Sequence, residues 1–72
     1  INSGYYLAWY NKANFLVSNG SLTEAVNCYD KSLEIKPNFY EGWYERGNVF
    51  RDLGLMEEAY ESWEKAGEIK PE

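Results

Sequence analysis

The sequence predicts an all-α fold built from two antiparallel helix-turn-helix hairpins, and three observations carry that prediction. The chain repeats itself at a spacing of 34 residues, a glycine falls in the middle of each repeat, and a proline closes each. A repeat of this length is one supersecondary unit that buries its apolar face by stacking on its neighbour. With 72 residues the chain forms one small domain, 1–72, divided into repeat one at 6–39 and repeat two at 40–72. A domain of this size buries only about 60% of its unfolded surface, so its stability is marginal without help from neighbours.

The repeat is explicit at the level of residues. A shift of 34 places Tyr6 on Tyr40, Trp9 on Trp43, Tyr10 on Tyr44, Asn14 on Asn48, Gly20 on Gly54, Glu24 on Glu58, Ala25 on Ala59 and Lys31 on Lys65. The run Glu34-Ile35-Lys36-Pro37 recurs as Glu68-Ile69-Lys70-Pro71, giving 12 identities over 33 aligned pairs.

The first helix is expected over 4–18 and ends before Gly20, where glycine supplies the left-handed conformation of a helix terminus. The second is expected over 22–35. Ser21-Leu22-Thr23-Glu24 has capping-box spacing at its start, and Pro37 stops it because proline cannot continue a helix. Leu22, Ala25, Val26, Tyr29 and Leu33 lie three or four apart and form its buried face. The third helix is expected over 39–52, introduced by the box Asn38-Phe39-Tyr40-Glu41 and ended by Gly54. The fourth is expected over 56–69, with Met56, Ala59, Tyr60, Trp63 and Ala66 on its apolar face and Pro71 as its stop. Leu55 stands in the place of Ser21 and has no capping oxygen, so this helix start is expected to be looser.

Composition narrows the function. Seven Tyr, three Trp and three Phe make aromatics 18% of the chain, so rings supply much of the core. The net charge is −5, all of it in residues 38–72, where nine acids face four bases. That balance opposes a nucleic-acid surface, which needs a basic stripe, and an anionic membrane alike. No apolar run reaches the roughly 20 residues of a membrane span. Cys28 is a single cysteine and there is no His, which leaves neither an internal disulfide nor a metal site nor a Cys/His pair, and no cofactor is called for. A reducing, cytoplasmic compartment is the default expectation. Without a phosphate loop, nucleophile elbow or histidine, the chain is expected not to be an enzyme.

These residues resemble the tetratricopeptide repeat, whose signature runs W-x2-L-G-x2-Y, A-x3-F, then P. Repeat one offers Trp9, Lys12, Ala13, Leu16, Ala25, Tyr29 and Pro37, and repeat two offers Trp43, Arg46, Gly47, Phe50, Ala59, Trp63 and Pro71. The resemblance implies a fragment of an α-solenoid. It departs from the signature at Lys12 and Arg46, where the family usually has Leu, and in this it looks like the WYNRG-type arrays common in bacteria. The aliphatic stem at these positions can cover apolar surface while the charge reaches water or a carboxylate.

The resemblance implies a scaffold for protein binding, in which the first helix of each hairpin lines a concave groove for a peptide. Carried over by position, the groove residues are Leu7, Tyr10, Asn11, Asn14, Val17 and Ser18 from repeat one, and Glu41, Tyr44, Glu45, Asn48, Arg51 and Asp52 from repeat two. An Asn amide both donates to and accepts from a peptide backbone, and Tyr pairs an apolar ring with a polar tip. Helix packing and solubility alone would also retain these residues. The Lys and Asn clamp that some members use for a terminal carboxylate is missing, since Tyr10 and Glu45 replace two of its residues and leave Asn14. A neutral or basic peptide is therefore the expected partner.

A second reading is self-association. A solenoid generally needs about three repeats and a polar end helix, whereas here Tyr60 and Trp63 are expected to leave an apolar face uncovered. That face points either to a chain cut from a longer adaptor or to a homo-oligomer formed by repeat stacking or hairpin exchange. The acids Glu57, Glu58, Glu61, Glu64 and Glu68 read as a solvated face rather than a cation site, with Glu61 and Lys65 spaced for a helical ion pair. The tryptophans read as core, and Cys28 as an inert side chain.

Overall fold

A computed structural model describes residues 4–70 and contains four helices, α1 Tyr5–Ser18, α2 Leu22–Ile35, α3 Tyr40–Asp52 and α4 Met56–Ile69. Strands are absent among the described residues. The helices pack as two hairpins, α1 with α2 and α3 with α4, and the hairpins join where α2 meets α3. The result is a slab of 35 × 30 × 16 Å. α2 and α4 have the expected bounds, while α1 and α3 each begin one residue later. Pro71, the expected stop of α4, lies outside the described residues. Lys36 and Lys70, each followed by proline, leave their helices in matching non-helical conformations (φ −131°, ψ 87° and φ −134°, ψ 76°), in keeping with the bias of a residue before proline away from the helical region.

Both mid-repeat turns close by the same backbone device. Gly20 and Gly54 each adopt φ of 81°, which only glycine takes without steric cost. Around them the Gly20 amide donates to Val17 O at 3.0 Å and the Ser21 amide to Leu16 O at 2.8 Å, while Gly54 donates to Arg51 O at 2.9 Å and Leu55 to Phe50 O at 2.8 Å. This is the paired 5→2 and 6→1 pattern of a Schellman terminus. It corrects the expectation for α4. Leu55 has nearly the backbone of Ser21 (φ −100°, ψ 77° against φ −86°, ψ 69°), and each accepts a 3.0 Å bond from the residue four ahead, so the two starts are equally tight.

The capping boxes do not form. Ser21 precedes α2 without a side-chain cap bond, because its ψ of 69° falls short of the extended region from which a cap oxygen reaches the first-turn amides. At α3 the cap position belongs to Phe39 instead of Asn38. Phe39 is buried, and its ring lies 4.9 Å from both Tyr6 and Tyr10 in edge-to-face contact. Burying a Phe is worth about 1.5–3 kcal/mol, more than the ~1 kcal/mol of a typical cap bond.

The core is formed by Ala13, Ala25, Val26, Cys28, Tyr29 and Val49, with Trp9, Tyr10, Leu16, Val17, Leu22 and Phe50 packed at its margin. Cys28 is buried and free. Gly47 has a steric reason: a Cβ there would stand 2.5 Å from Cδ1 of Trp63. Glu61 and Lys65 do not pair, the ion pairs among the described residues being Arg46 with Asp30 and Arg51 with Asp52. Glu61 and Lys65 are both exposed, where a pair gains little against solvent and side-chain entropy.

Candidate functional site

The expected groove residues lie on α1 and α3, and the structure sorts them into engaged and free groups. Leu7, Asn11, Glu41, Tyr44 and Arg51 are exposed. Tyr10 and Val17 are half-buried and pack against the core. Arg51 lies 3.3 Å from the carboxylate of its neighbour Asp52, and Ser18 donates to Asn14 O at 3.3 Å.

The recurring asparagines have an internal partner. Asn14 Oδ1 accepts from the Tyr29 hydroxyl, and Asn48 Oδ1 accepts from Trp63 Nε1 at 3.2 Å. Because an indole N–H can only donate, this bond fixes which end of the Asn48 amide turns toward α4. In each hairpin the Asn of the first helix therefore ties down the large ring of the second. What remains for a ligand is the amide N–H capacity of Asn48, since the Asn14 side chain also bonds the Tyr10 hydroxyl.

The field around Tyr10 is negative. Burial raises the Tyr10 phenol above its ordinary value, the Asn14 side-chain hydrogen bond pulls it back, and Glu45 and Glu41 push it up. The Tyr29 phenol is raised further, first by burial and then by Glu45. These shifts move both groups away from neutrality and make them poorer acids, the reverse of what proton transfer near neutral pH requires. Neither Glu41 nor Glu45 has an ion-pair partner among the described residues.

A second cluster spans three helices. Arg46 on α3 donates from Nε to Asp30 Oδ1 on α2 at 2.7 Å and from Nη1 to Ser62 Oγ on α4 at 2.8 Å. Its guanidinium lies 5.4 Å from the Trp43 ring centre and 4.9 Å from that of Phe50, while Trp43 Nε1 donates to Pro37 O at 2.8 Å. Two shallow recesses flank this cluster, one of about 340 Å³ edged by Glu61, Glu64, Lys65 and Glu68, the other of about 330 Å³ edged by Asp30, Leu33 and Glu34. The sequence left the charge at this basic position to water or a carboxylate and did not identify Asp30. The available clue was that an acid recurs at 30 and 64 just as a base recurs at 12 and 46.

The expected association face divides. Tyr60 is largely exposed, whereas Trp63 is half-buried against Gly47 and bonded to Asn48. Among the described residues no group of His, Cys, Asp and Glu is arranged to hold a metal ion, and no helix is long and apolar enough to cross a membrane.

Two family profiles, described as TPR repeat and Tetratricopeptide repeat, match residues 13–54 and 40–72. The chain belongs to the tetratricopeptide repeat family. A comparison with curated proteins returns no match. Tetratricopeptide repeats mediate protein–protein interaction, and the glycine turns, the ring-to-asparagine ties and the stacked hairpins are the parts of this chain that build such a scaffold.

Proposed function

We propose that this tetratricopeptide pair is a non-catalytic adaptor that holds a neutral or basic peptide segment along the face formed by α1 and α3. The carrying observation is the pair of acids, Glu41 and Glu45, beside Tyr10 and without a cationic partner among the described residues. Leu7 on α1 and Tyr44 on α3 supply exposed apolar surface, and Asn48 keeps amide donors for a peptide carbonyl. A buried free thiol at Cys28 suits a reducing, cytoplasmic setting.

The test is a titration against peptides of equal length carrying positive, zero or negative charge, followed by tryptophan fluorescence. The basic peptide is expected to bind most tightly, to weaken as salt rises, and to lose its advantage in the double variant Glu41→Gln, Glu45→Gln. Equal binding of all three, or preference for the acidic one, sinks the proposal.

A second reading, self-association through the outer face of α4, is favoured by the exposure of Tyr60. Hairpin exchange is its alternative form.

A further inference from the structure

The junction between the hairpins is a template for what covers the two outer faces, because every residue in it has a counterpart 34 positions away. At the junction, Val26 of α2 and Val49 of α3 are 9% and 2% exposed. Their counterparts are Tyr60 on α4 and Phe15 on α1, which are 61% and 64% exposed. Phe39, at 7% exposure, inserts against Tyr6 and Tyr10. Its counterpart Tyr5 is 58% exposed, and Tyr40 and Tyr44, the counterparts of the two receiving rings, lie against each other with centres 6.0 Å apart. The three most exposed large apolar side chains among the described residues, Phe15, Tyr60 and Tyr5, thus sit at positions that are buried where the two hairpins meet.

We propose that a second copy of this chain stacks head to tail on the first, with its α1 seated on the α4 face as α3 seats on α2 within one chain. This deepens the self-association reading by naming which face meets which. Charge supports the pairing. Arg46 meets Asp30 at the junction, and the same positions on the outer faces hold Lys12 and Glu64, both exposed. Lys12 already lies 5.5 Å from the Trp9 ring centre, as Arg46 lies 5.4 Å from that of Trp43, so its charge occupies the corresponding place before any partner arrives. Steric fit agrees at a further point. The junction sets Gly42 against Leu33, with a Cβ on Gly42 only 3.1 Å from Leu33 Cδ2. The outer faces offer Ala8 and Gly67, and a Cβ on Gly67 would meet nothing within 4 Å. The small residue has changed sides, and the receiving face has room for the methyl group.

A contact of one face with a different face leaves an unused face at each end of a pair, so it adds further copies into open chains or larger rings rather than stopping at a dimer. Sedimentation equilibrium of the chain is expected to show average mass rising continuously with concentration. Lys12→Glu or Glu64→Lys alone weakens association by about fivefold, the size of an exposed pair lost. Mixing these two variants restores it, because each supplies the charge that the other lacks. Tyr60→Glu weakens association by roughly ten- to a hundredfold, with helical circular dichroism retained as the check on folding. Mass that saturates at two subunits, or association indifferent to either charge reversal, overturns the head-to-tail register while leaving self-association in place. A monomer at every concentration overturns both and leaves these faces to further hairpins of a longer chain.

Discussion

Hairpin one packs Tyr29 against a first helix carrying Ala13, and hairpin two packs Trp63 against one carrying Gly47. The larger ring meets the smaller residue. In both, the polar atom of the ring ends on the Asn one position further along the first helix. The difference teaches that the repeat preserves a combined volume and a single hydrogen bond rather than the identity of the residues supplying them. Interiors packed near crystalline density respond to one methylene, so a change on one helix is matched on the other. The hairpins differ also in cover: Tyr29 is buried in a cluster that includes Val49 of α3, while Trp63 is half-buried.

The strongest way to break this comparison is to put both large partners into one hairpin. Gly47→Ala would drive a Cβ into the Trp63 ring, 2.5 Å from Cδ1. Overpacking costs about 1–3 kcal/mol, and the better helix propensity of Ala returns up to ~1 kcal/mol. A net loss of about 1–2 kcal/mol in urea unfolding is expected. Adding Trp63→Tyr recreates the arrangement of hairpin one and should recover most of the loss, read as a coupling energy in a double-mutant cycle. Additive losses would show that volume matching is not the reason for the pairing.

Next in size is the asparagine tie. Asn14→Ala leaves the buried Tyr29 hydroxyl without its acceptor, at a cost of about 1–2 kcal/mol. Asn48→Ala releases the N–H of Trp63, which is half-buried where Tyr29 is buried, so a smaller loss of about 0.5 kcal/mol is expected. Thermal unfolding of the two variants measures the ratio, and equal losses would mean that cover does not set the value of the bond.

Alkaline pH separates the hairpins again. The Tyr29 phenol is raised by folding, so above its unfolded value near 10 the unfolded chain releases its proton first. Stability is therefore full below that pH and falls as pH rises beyond it, by at most about 1.4 kcal/mol per pH unit for one proton. Tyr29→Phe is expected to flatten this limb of a pH-dependent urea titration, although it starts from lower stability because the bond to Asn14 is lost.

The fold was legible because its determinants are local. Two glycines, two prolines and a 34-residue echo mark four helices without any tertiary information. The capping boxes misled because Ser21 and Asn38 compete with forces that spacing does not reveal, namely a turn closed by backbone amides and a Phe39 ring whose burial takes over the cap position. The candidate site was legible only as a set of positions. That Asn14 and Asn48 bond inward depends on which side chain of the second helix faces them, and sequence periodicity gives the facing helix but not the rotamer.

The smallest expected effect concerns the seam between the hairpins. Arg46 joins Asp30 on one hairpin to Ser62 on the other, yet the pair is partly solvated, with the Asp30 side chain 44% exposed. Coulomb attraction in that setting is worth about 0.2–1 kcal/mol. Asp30→Asn is therefore expected to lower stability by less than ~1 kcal/mol and to have less effect as salt rises. Arg46→Met separates charge from packing, because it retains an apolar stem beside Trp43 and Phe50 while removing both hydrogen bonds. If the stem matters most, Arg46→Met and Asp30→Asn lose similar amounts and Arg46→Ala loses more. If the two methionine and alanine variants lose equally, the guanidinium itself joins the hairpins, and Lys12, with one charge centre in place of a fork, would make a weaker seam than Arg46 does.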